Sequence, residues 1–292
     1  MNILYTHLLT CPVCHVALAE SDQTLKCANR HSFDMAREGY VNLLLKRLPG
    51  DSKAMLQARR DFLERDHYRP LSDTLNELVA SHIHNTPSPV NILDAGCGEG
   101  YYLGRLHQYL TSRQLSIQSC CVGVDISKDA IRMAAKRYRE TLFVVTNLKE
   151  RLVFADDTFQ ALLNIFAPRN AQEYARVLAP GGLLVVVIPG PTHLLQLRSA
   201  LHLLSIEQDK QQHIIEQFAP QFELITTIPL AYEIHLTGAE IALTVMMTPN
   251  YWHLTEETKR NMAEETEMRT QVEFSCLLLQ KKLTGPTYNS VK

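Results

Sequence analysis

Three cysteines and a histidine near the start of the chain have the spacing of a zinc site. Two residues separate Cys11 from Cys14, and three separate Cys27 from His31 further along. Three thiolates and one imidazole form a closed tetrahedral ligand set, which leaves zinc no open position for catalysis. We therefore predict a structural metal that stabilises a module too small to bury its own core. His15 is a competing ligand, but it directly follows Cys14, so His31 is preferred.

A second candidate site is the glycine-rich segment DAGCGEG at residues 94–100. It lies between a predicted buried strand and a predicted amphipathic helix, which is the context in which such loops bind ligands. Gly96, Gly98 and Gly100 depart from the dinucleotide-binding pattern, which places its third glycine one residue later. The carboxylate of Asp94 would repel a pyrophosphate and would suit a ligand with a cationic amino group.

The next predicted strand ends in Asp125, 25 residues after Gly100. An acidic side chain at that strand end is placed to accept hydrogen bonds from ribose hydroxyls. A ribose acceptor, a tight glycine turn and a carboxylate before the glycines together indicate S-adenosylmethionine rather than NAD. Residues 90–285 thus resemble the class I S-adenosylmethionine-dependent methyltransferases. The alternative is a structural turn that binds nothing.

Strand and helix patterns alternate from about residue 90, which predicts an α/β fold. The strands are apolar throughout, so we expect a Rossmann-like, mostly parallel sheet with helices on both faces. Two later strand patterns would extend this sheet at one edge, and an antiparallel orientation is open to them. The predicted domains are a zinc-binding domain (1–45), a helical linker (46–89) and a methyltransferase domain (90–292).

Two long motifs narrow the choice among families of methyltransferases. RH-x-FDMA-x-EGYVNLL follows the cysteines, and GDS-x-x-M-x-x-ARR-x-FL precedes DAGCGEGYY. With these motifs the chain resembles the RlmA-type bacterial 23S ribosomal RNA guanine-N1-methyltransferases. The resemblance implies S-adenosylmethionine as cofactor, a structural Zn²⁺, a 23S ribosomal RNA hairpin as substrate and a homodimer. It also implies that the zinc-binding domain of residues 1–45 is an RNA-recognition domain.

The resemblance also implies roles for individual residues. The zinc ligands are those named above, and Tyr68 and His193 match positions associated with the cofactor site of the family. The predicted cofactor-binding residues are Tyr68, Asp94, Gly96, Gly98, Glu99, Gly100, Asp125 and His193.

Methylation of guanine N1 makes particular demands, because that nitrogen carries a proton at neutral pH. A base, or a group that stabilises the anion at O6, should help. The segment NIFAP at 164–168 ends the fourth predicted parallel strand, at the edge where open sheets bind ligands. Asn164 could hydrogen-bond a base edge and Phe166 could stack on it, with His193 as a third catalytic candidate. Alternatively, Phe166 is a core residue and Asn164 caps a turn, and no residue stands out as the general base.

Bulk properties limit the functional classes. The chain has 292 residues, a net charge of −2 and 46% hydrophobic residues, so a packed core is expected and RNA must be bound by a local basic surface. Residues 26–69 carry ten basic and six acidic side chains, which fits such a surface or solvated helix faces. Seven cysteines without a disulfide pattern indicate a cytoplasmic protein, and no apolar run is long enough for a membrane span.

Two other functions remain open at this stage. The same fold serves small-molecule methyltransferases that act on quinones or natural products, although a zinc module would then have no evident use. The chain could also be a non-catalytic zinc-containing nucleic-acid-binding protein.

Overall fold

A computed structural model describes residues 3–46, 48–84, 86–113, 118–203, 209–248, 255–256, 262 and 266–283. The strands in these ranges are β1 (Leu18–Ser21), β2 (Thr24–Cys27), β3 (Ser32–Asp34), β4 (Tyr40–Asn42), β5 (Val90–Ala95), β6 (Ser119–Asp125), β7 (Leu142–Val145), β8 (Phe159–Ile165), β9 (Leu178–Pro189), β10 (Phe222–Thr237) and β11 (Glu267–Lys281). The α-helices are α1 (Lys53–Leu63), α2 (Arg69–Ile83), α3 (Tyr101–Ser112), α4 (Lys128–Arg137), α5 (Ala171–Val177), α6 (Leu195–Ala200), α7 (Lys210–Phe218) and α8 (Gly238–Met246), and a 3₁₀ helix covers Ile3–Leu8.

A large sheet of eight strands forms the body of the molecule, in the order β10-β11-β9-β8-β5-β6-β7-β4. Strands β4 to β9 of this sheet pair in parallel, whereas β11 is antiparallel to both β9 and β10. The predicted mostly parallel sheet is therefore confirmed, as is its antiparallel extension at one edge. The parallel strands are buried along most of their length, which explains their continuous apolar sequences.

Side-chain caps begin several of the helices. The hydroxyl of Ser52 accepts a hydrogen bond from the Met55 N–H at the start of α1, and Ser127 caps α4 in the same way through Ala130. Each cap satisfies a backbone donor that the first turn of a helix leaves unpaired. Pro70 lies in the first turn of α2, where its missing N–H costs nothing.

The sheet carries a hydrophobic core on each face. On one face the buried side chains of α1, α2, α3, α4, α6 and α8 pack against it. On the other face Tyr174 of α5 and Phe218 of α7 share the core with Leu9 and Leu25 of the N-terminal segment. Helices therefore cover both faces, as predicted, and the N-terminal segment completes the second layer.

The N-terminal segment is a three-stranded antiparallel ribbon, β1-β2-β3, that forms its own sheet and is bonded to the segment between β7 and β8. Leu9 forms an antiparallel bridge with Phe154, and the N–H of Thr10 donates to the carbonyl of Val153 at 2.8 Å. Leu25 of β2 is fully buried in the shared core. Because its core is shared with the sheet, the ribbon is held in one orientation.

Strand β4 lies inside the segment predicted as the zinc-binding domain, yet it pairs in parallel with β7 at the edge of the large sheet. Helices α1 and α2, inside the predicted helical linker, contribute Phe62 and Leu71 to the core on the first face. Residues 45 and 89 are therefore not the edges of separately packed bodies. Among the described helices, none has the length and apolar character that crossing a membrane requires.

Candidate cofactor site and zinc centre

The four predicted zinc ligands converge at one end of the ribbon. The ligand atoms of Cys11, Cys14, Cys27 and His31 all lie within 4.8 Å of one another. Sγ of Cys27 lies 3.6 Å from Sγ of Cys14 and 3.4 Å from Nδ1 of His31. Tetrahedral zinc, with bonds of about 2.3 Å to sulfur and about 2.0 Å to nitrogen, separates its ligands by roughly 3.5 to 3.8 Å. The cluster thus has the size and donor chemistry of a zinc centre, with His31 rather than His15 as the fourth ligand.

Two tight turns bring these ligands together. The N–H of His15 donates to the carbonyl of Cys11 at 2.8 Å, and the N–H of Arg30 donates to that of Cys27 at 2.9 Å. His15 and Arg30 both adopt left-handed backbone conformations, with φ of 61° and 66°. Each turn therefore reverses the chain within a few residues, which places the ligand pairs face to face.

The thiol of Cys14 is prepared for metal binding. Desolvation opposes its ionisation, but hydrogen bonds led by the backbone N–H of Val16 outweigh this and lower the pKa of the thiol to about 6. Thiolate is the form that ligates zinc, so the turn favours the state that the metal needs.

The glycine loop follows β5 at the carboxyl edge of the sheet. The backbone N–H groups of Gly96 and Cys97 both donate to the carbonyl of Val124, which folds the loop onto β6. Gly96 has φ of +96°, and a Cβ atom there would lie 2.3 Å from Cβ of Ala167. Both the backbone conformation and the close approach of the neighbouring loop therefore require glycine.

Asp94 is the most unusual carboxyl group of the site. It is 1% exposed, and among the described residues its Oδ1 atom has no hydrogen-bond partner. Burial, reinforced by the nearby charge of Asp125, raises the pKa of Asp94 to about 8. An acidic group with an unused buried oxygen attracts a cation, because pairing would restore the charged form.

Asp125 ends β6 beside the loop. Its Oδ2 atom accepts from the N–H of Gly98 at 3.0 Å, and its Oδ1 atom accepts from the N–H of Ser127 at 2.8 Å. Burial raises the pKa of Asp125, although these two backbone donors oppose the shift. A carboxylate can accept about four hydrogen bonds, so two positions remain for the hydroxyls of a ribose.

The middle of α1 lies beside the glycine loop and brings a basic side chain close to it. Nη1 of Arg59 is 3.7 Å from the position of a Cβ on Gly98. The same guanidinium pairs with Asp51 at 2.6 Å and donates to the carbonyl of Met247 at 3.3 Å. Arg59 thus ties α1 to both the loop and the end of α8.

Glu99 points away from the predicted cofactor position. It is 2% exposed, and its Oε2 atom lies 3.5 Å from Nε of Arg60 on α1. Burial raises the pKa of Glu99 despite the opposing charges of Arg60 and Arg137. The side chain therefore fixes α1 to the loop, and any contact of residue 99 with the cofactor would come from its backbone.

Tyr68 and His193 meet although they come from distant parts of the chain. The Tyr68 hydroxyl oxygen lies 3.1 Å from Nε2 of His193, and the N–H of Glu273 donates to Nδ1 of the same ring. Burial, with a smaller contribution from Arg198, lowers the pKa of His193 to about 3, so the ring is neutral at physiological pH. Because Nδ1 is an acceptor, the proton must be on Nε2, which donates to Tyr68.

This arrangement bears on the catalytic role predicted for His193. One ring nitrogen carries a proton and the other already accepts a hydrogen bond, so the imidazole has no free lone pair. His193 cannot act as a general base in this conformation. It can only orient the Tyr68 hydroxyl and help to shape the site.

Aromatic rings surround Tyr68 at the rim. The ring of Phe274 lies 4.9 Å from that of Tyr68 and 5.6 Å from that of Phe166. Phe166 is 44% exposed and has φ of +53°, an uncommon conformation for a bulky residue. The alternative that Phe166 is a core residue is therefore wrong, and its ring is open to a planar ligand.

Asn164 has a different position from the one predicted for it. It is fully buried, and its Nδ2 group lies within 3.1 Å of the Ala95 carbonyl, the Pro168 carbonyl and the Tyr174 hydroxyl. The amide therefore fixes the loop after β8 to β5 and α5. With no exposed surface and its Nδ2 group engaged, Asn164 cannot donate to a base edge in this conformation, and its buried Oδ1 atom has no hydrogen-bond partner among the described residues.

Similarity to known proteins agrees with this geometry. Residues 9–51 match the family model of the RlmA N-terminal zinc ribbon, and residues 92–182 match a methyltransferase domain. A protein of Streptomyces fradiae named 23S rRNA (guanine(748)-N(1))-methyltransferase is 36% identical over 260 residues, which cover 88% of this chain and 90% of that protein. The chain belongs to the RlmA-type 23S rRNA (guanine-N1-)-methyltransferase family.

Two further relatives of this RlmA-type protein have names that give 23S rRNA guanine-N1 methylation as an unproven activity. One, from Micromonospora griseorubida, is 36% identical and covers 84% of this chain and 87% of its own length. The other, YxjB of Bacillus subtilis, is 30% identical and covers 94% of this chain and 97% of its own length.

As a member of this family the chain is a methyltransferase that uses S-adenosylmethionine and holds a structural zinc ion, and its residues fit both groups. The unpaired Oδ1 of Asp94 suits the cationic methionine part of the cofactor, and Asp125 retains acceptor positions for its ribose. The four ligands of the ribbon have the spacing of a closed tetrahedral site.

Several residues of the site carry no sequence pattern that would predict their role. Glu273 and Phe274 come from β11, which carries no motif, and only the pairing of β11 with β9 brings them beside His193. Tyr174 looks like an ordinary helix residue. Arg59 alone had a signal, because it lies in the family motif GDS-x-x-M-x-x-ARR-x-FL.

Proposed function

We propose that this protein transfers a methyl group from S-adenosylmethionine to N1 of a guanine in a hairpin of 23S ribosomal RNA. The observation that carries the proposal is the combination of an RlmA-type zinc ribbon and a cofactor-type loop within one packed molecule. The substrate follows from the relatives, whose names specify 23S rRNA and guanine N1.

The bound cofactor supplies an electrophilic methyl group on sulfur, with a neutral thioether as leaving group. What the protein has to provide is alignment of the nucleophile with that methyl group. In this proposal Asp94 and Asp125 bind the polar ends of the cofactor, and the loop from Gly96 to Gly100 lets the backbone approach it closely. Tyr68, oriented by His193, borders the reacting position.

Guanine must leave its base pair before N1 can react, because that atom lies on the paired edge. The exposed ring of Phe166 offers a stacking surface for the displaced base, and such stacking contributes about 1–3 kcal/mol per base. The N1 proton must also leave. Asn164, Phe166 and His193 offer no free basic lone pair, so their proposed roles are positioning rather than proton abstraction.

The ribbon would recognise the RNA hairpin. Its rigid attachment through Leu9 and Leu25 supports this role, because an RNA bound there keeps a fixed position relative to the glycine loop. We further propose a homodimer, on the family resemblance alone, and a cytoplasmic location. None of the seven cysteines forms a disulfide within the described residues, in keeping with a reducing compartment.

A methyl-transfer assay separates this proposal from the alternatives. Zinc-loaded full-length protein is incubated with labelled S-adenosylmethionine and either 23S rRNA from cells lacking the gene or a panel of quinones. We expect label in the RNA alone. Label in a quinone would indicate a small-molecule methyltransferase. A protein that neither binds the cofactor nor transfers label would favour the alternative of a non-catalytic zinc-containing nucleic-acid-binding protein.

A further inference from the structure

A groove between α5 and α7 lies outside the site described above. Its volume is about 520 Å³, which is within the size range of small-ligand sites. Two basic side chains, Lys149 and Arg169, line it together with four amide side chains, including that of Gln221. Among the described residues that line the groove none is acidic, so its surface is positively charged.

Arg169 has an incomplete environment. Its side chain is partly buried, and within the described part of the chain it forms no ion pair or hydrogen bond, so burial lowers the pKa of the guanidinium. Several other arginines of the protein have carboxylate partners instead. Acidic partners are present for Arg59, Arg60, Arg65 and Arg69. A half-buried guanidinium without a carboxylate is suited to bind an anion from outside the protein.

Gln221 supplies a second, independent indication of a ligand. Its side-chain carbonyl oxygen Oε1 is buried, and no hydrogen-bond donor reaches it within the described residues. A buried acceptor without a donor is costly, so rotation of this partly exposed side chain to bring Oε1 to a ligand hydroxyl in the groove would be favoured. The groove therefore offers donors for an anion and an acceptor for a neutral hydroxyl.

The groove is also close to the rim of the cofactor site. Arg169 follows Pro168 directly and lies three residues after Phe166, so their Cα atoms are at most about 11 Å apart. The Pro168 carbonyl accepts from both Asn164 and Tyr174, so this connection is rigid. Whatever binds Arg169 is held at a fixed position relative to the exposed ring of Phe166.

We propose that this groove binds one phosphate and its ribose from the substrate RNA beside the target nucleotide. Arg169 and Lys149 contact the phosphate, and Gln221 Oε1 accepts from a ribose 2′-hydroxyl, the group that distinguishes RNA from DNA. The inference rests on the proposed function, because it takes the 23S hairpin as the ligand. It adds a contact that determines how the RNA is seated, separate from those of the ribbon.

The test measures binding of a labelled 23S rRNA hairpin by fluorescence anisotropy at several salt concentrations. It compares the wild type with Arg169→Gln, Arg169→Lys and the control Arg113→Gln. Arg113 is exposed at the end of α3, where its guanidinium lies 4.6 Å from the ring centre of Tyr109. Both glutamine variants therefore lose one positive charge, but only one of them loses it in the groove.

We expect Arg169→Gln to bind RNA about tenfold more weakly than wild type. The salt slope, which is the slope of the logarithm of the binding constant against the logarithm of the salt concentration, should be smaller in magnitude by about 0.7 to 0.9, the value for one phosphate contact. Arg169→Lys should recover most of the slope, and Arg113→Gln should match the wild type. Cofactor affinity measured by calorimetry should stay unchanged in all variants, which shows that the site remains folded. The KM for RNA should rise in Arg169→Gln, while kcat at saturating RNA changes little.

Equal affinity and salt slope for Arg169→Gln and Arg113→Gln would overturn the groove as a phosphate site. A DNA copy of the hairpin tests Gln221. The ratio of the affinity for the RNA hairpin to that for the DNA copy should be larger for the wild type than for Gln221→Leu. An equal ratio in the two proteins would overturn the ribose contact. If wild-type protein neither binds nor methylates the RNA, the proposed function itself fails. That outcome is seen before any variant is compared.

Discussion

The hydroxyl oxygen of Tyr68 lies 3.1 Å from Nε2 of His193, a residue 125 positions later in the chain. The N–H of Glu273 donates to the other ring nitrogen, so Nε2 carries the proton and Tyr68 is the acceptor. The contact joins the start of α2 to the loop after β9. It also leaves the hydroxyl proton of Tyr68 free to face the site.

Replacement of Tyr68 by phenylalanine should therefore destabilise the protein. It leaves the Nε2–H of His193 buried without an acceptor, at a cost of about 1–3 kcal/mol in the free energy of unfolding. Tyr102→Phe is the matched control, because the buried Tyr102 hydroxyl has no partner among the described residues. Urea unfolding should show a loss for Tyr68→Phe only. Equal losses in both variants would mean that the contact with His193 contributes nothing.

A methyl group at Gly96 should distort the cofactor loop. The added Cβ would lie 2.3 Å from Cβ of Ala167, and φ is unfavourable for alanine. Gly39→Ala has a similar φ of +93° but no neighbour within 4 Å, so it separates backbone strain from collision. We expect both variants to lose about 1 kcal/mol or more of stability, and Gly96→Ala alone to lose cofactor binding in calorimetry. Wild-type affinity in Gly96→Ala would contradict the placement of the cofactor.

Asp94 should make the stability of the cofactor-free protein depend on pH. The folded carboxyl keeps its proton up to a pKa of about 8, whereas in the unfolded chain it ionises at 3.8. The folded state thus binds more protons between these values, and stability falls as the pH rises through this window. Asp94→Asn should remove this contribution. The thermal unfolding midpoint of the variant should therefore rise relative to that of the wild type as the pH increases from 4 to 8. A midpoint difference that does not change with pH would show that Asp94 is ionised in the folded protein.

The zinc centre should be needed for RNA methylation but not for cofactor binding. Cys27→Ser removes one of four ligands, so metal content measured by mass spectrometry and transfer to RNA should fall together. S-adenosylmethionine affinity should stay near the wild-type value. Cys276→Ser, which alters a buried cysteine of β11 away from the metal, should keep its zinc. Methylation by zinc-free Cys27→Ser at the wild-type rate would exclude a role for the ribbon in substrate recognition.

A point substitution tests the ribbon better than truncation at residue 45. Truncation would also remove β4 from the edge of the catalytic sheet and Leu9 and Leu25 from its core. Loss of activity would then report unfolding rather than loss of RNA recognition.

Local patterns were enough to predict the zinc ligands, the glycine loop and the parallel sheet, because each depends on residues close in sequence. The three-residue strand β4 was missed, since YVN is too short to show a period and its partner β7 is about a hundred residues away. Asn164 and Phe166 look equivalent at a strand end. Only the positive φ of Phe166 turns one side chain outward while the other stays buried.

The central claim is methylation of guanine N1 in 23S ribosomal RNA. It is tested most directly by mass mapping of 23S rRNA from cells lacking the gene, before and after incubation with purified protein and S-adenosylmethionine. We predict one added methyl group on N1 of a single guanine within a hairpin. Unmodified RNA after incubation with cofactor-competent protein, or a methyl group on another base or atom, would contradict this account.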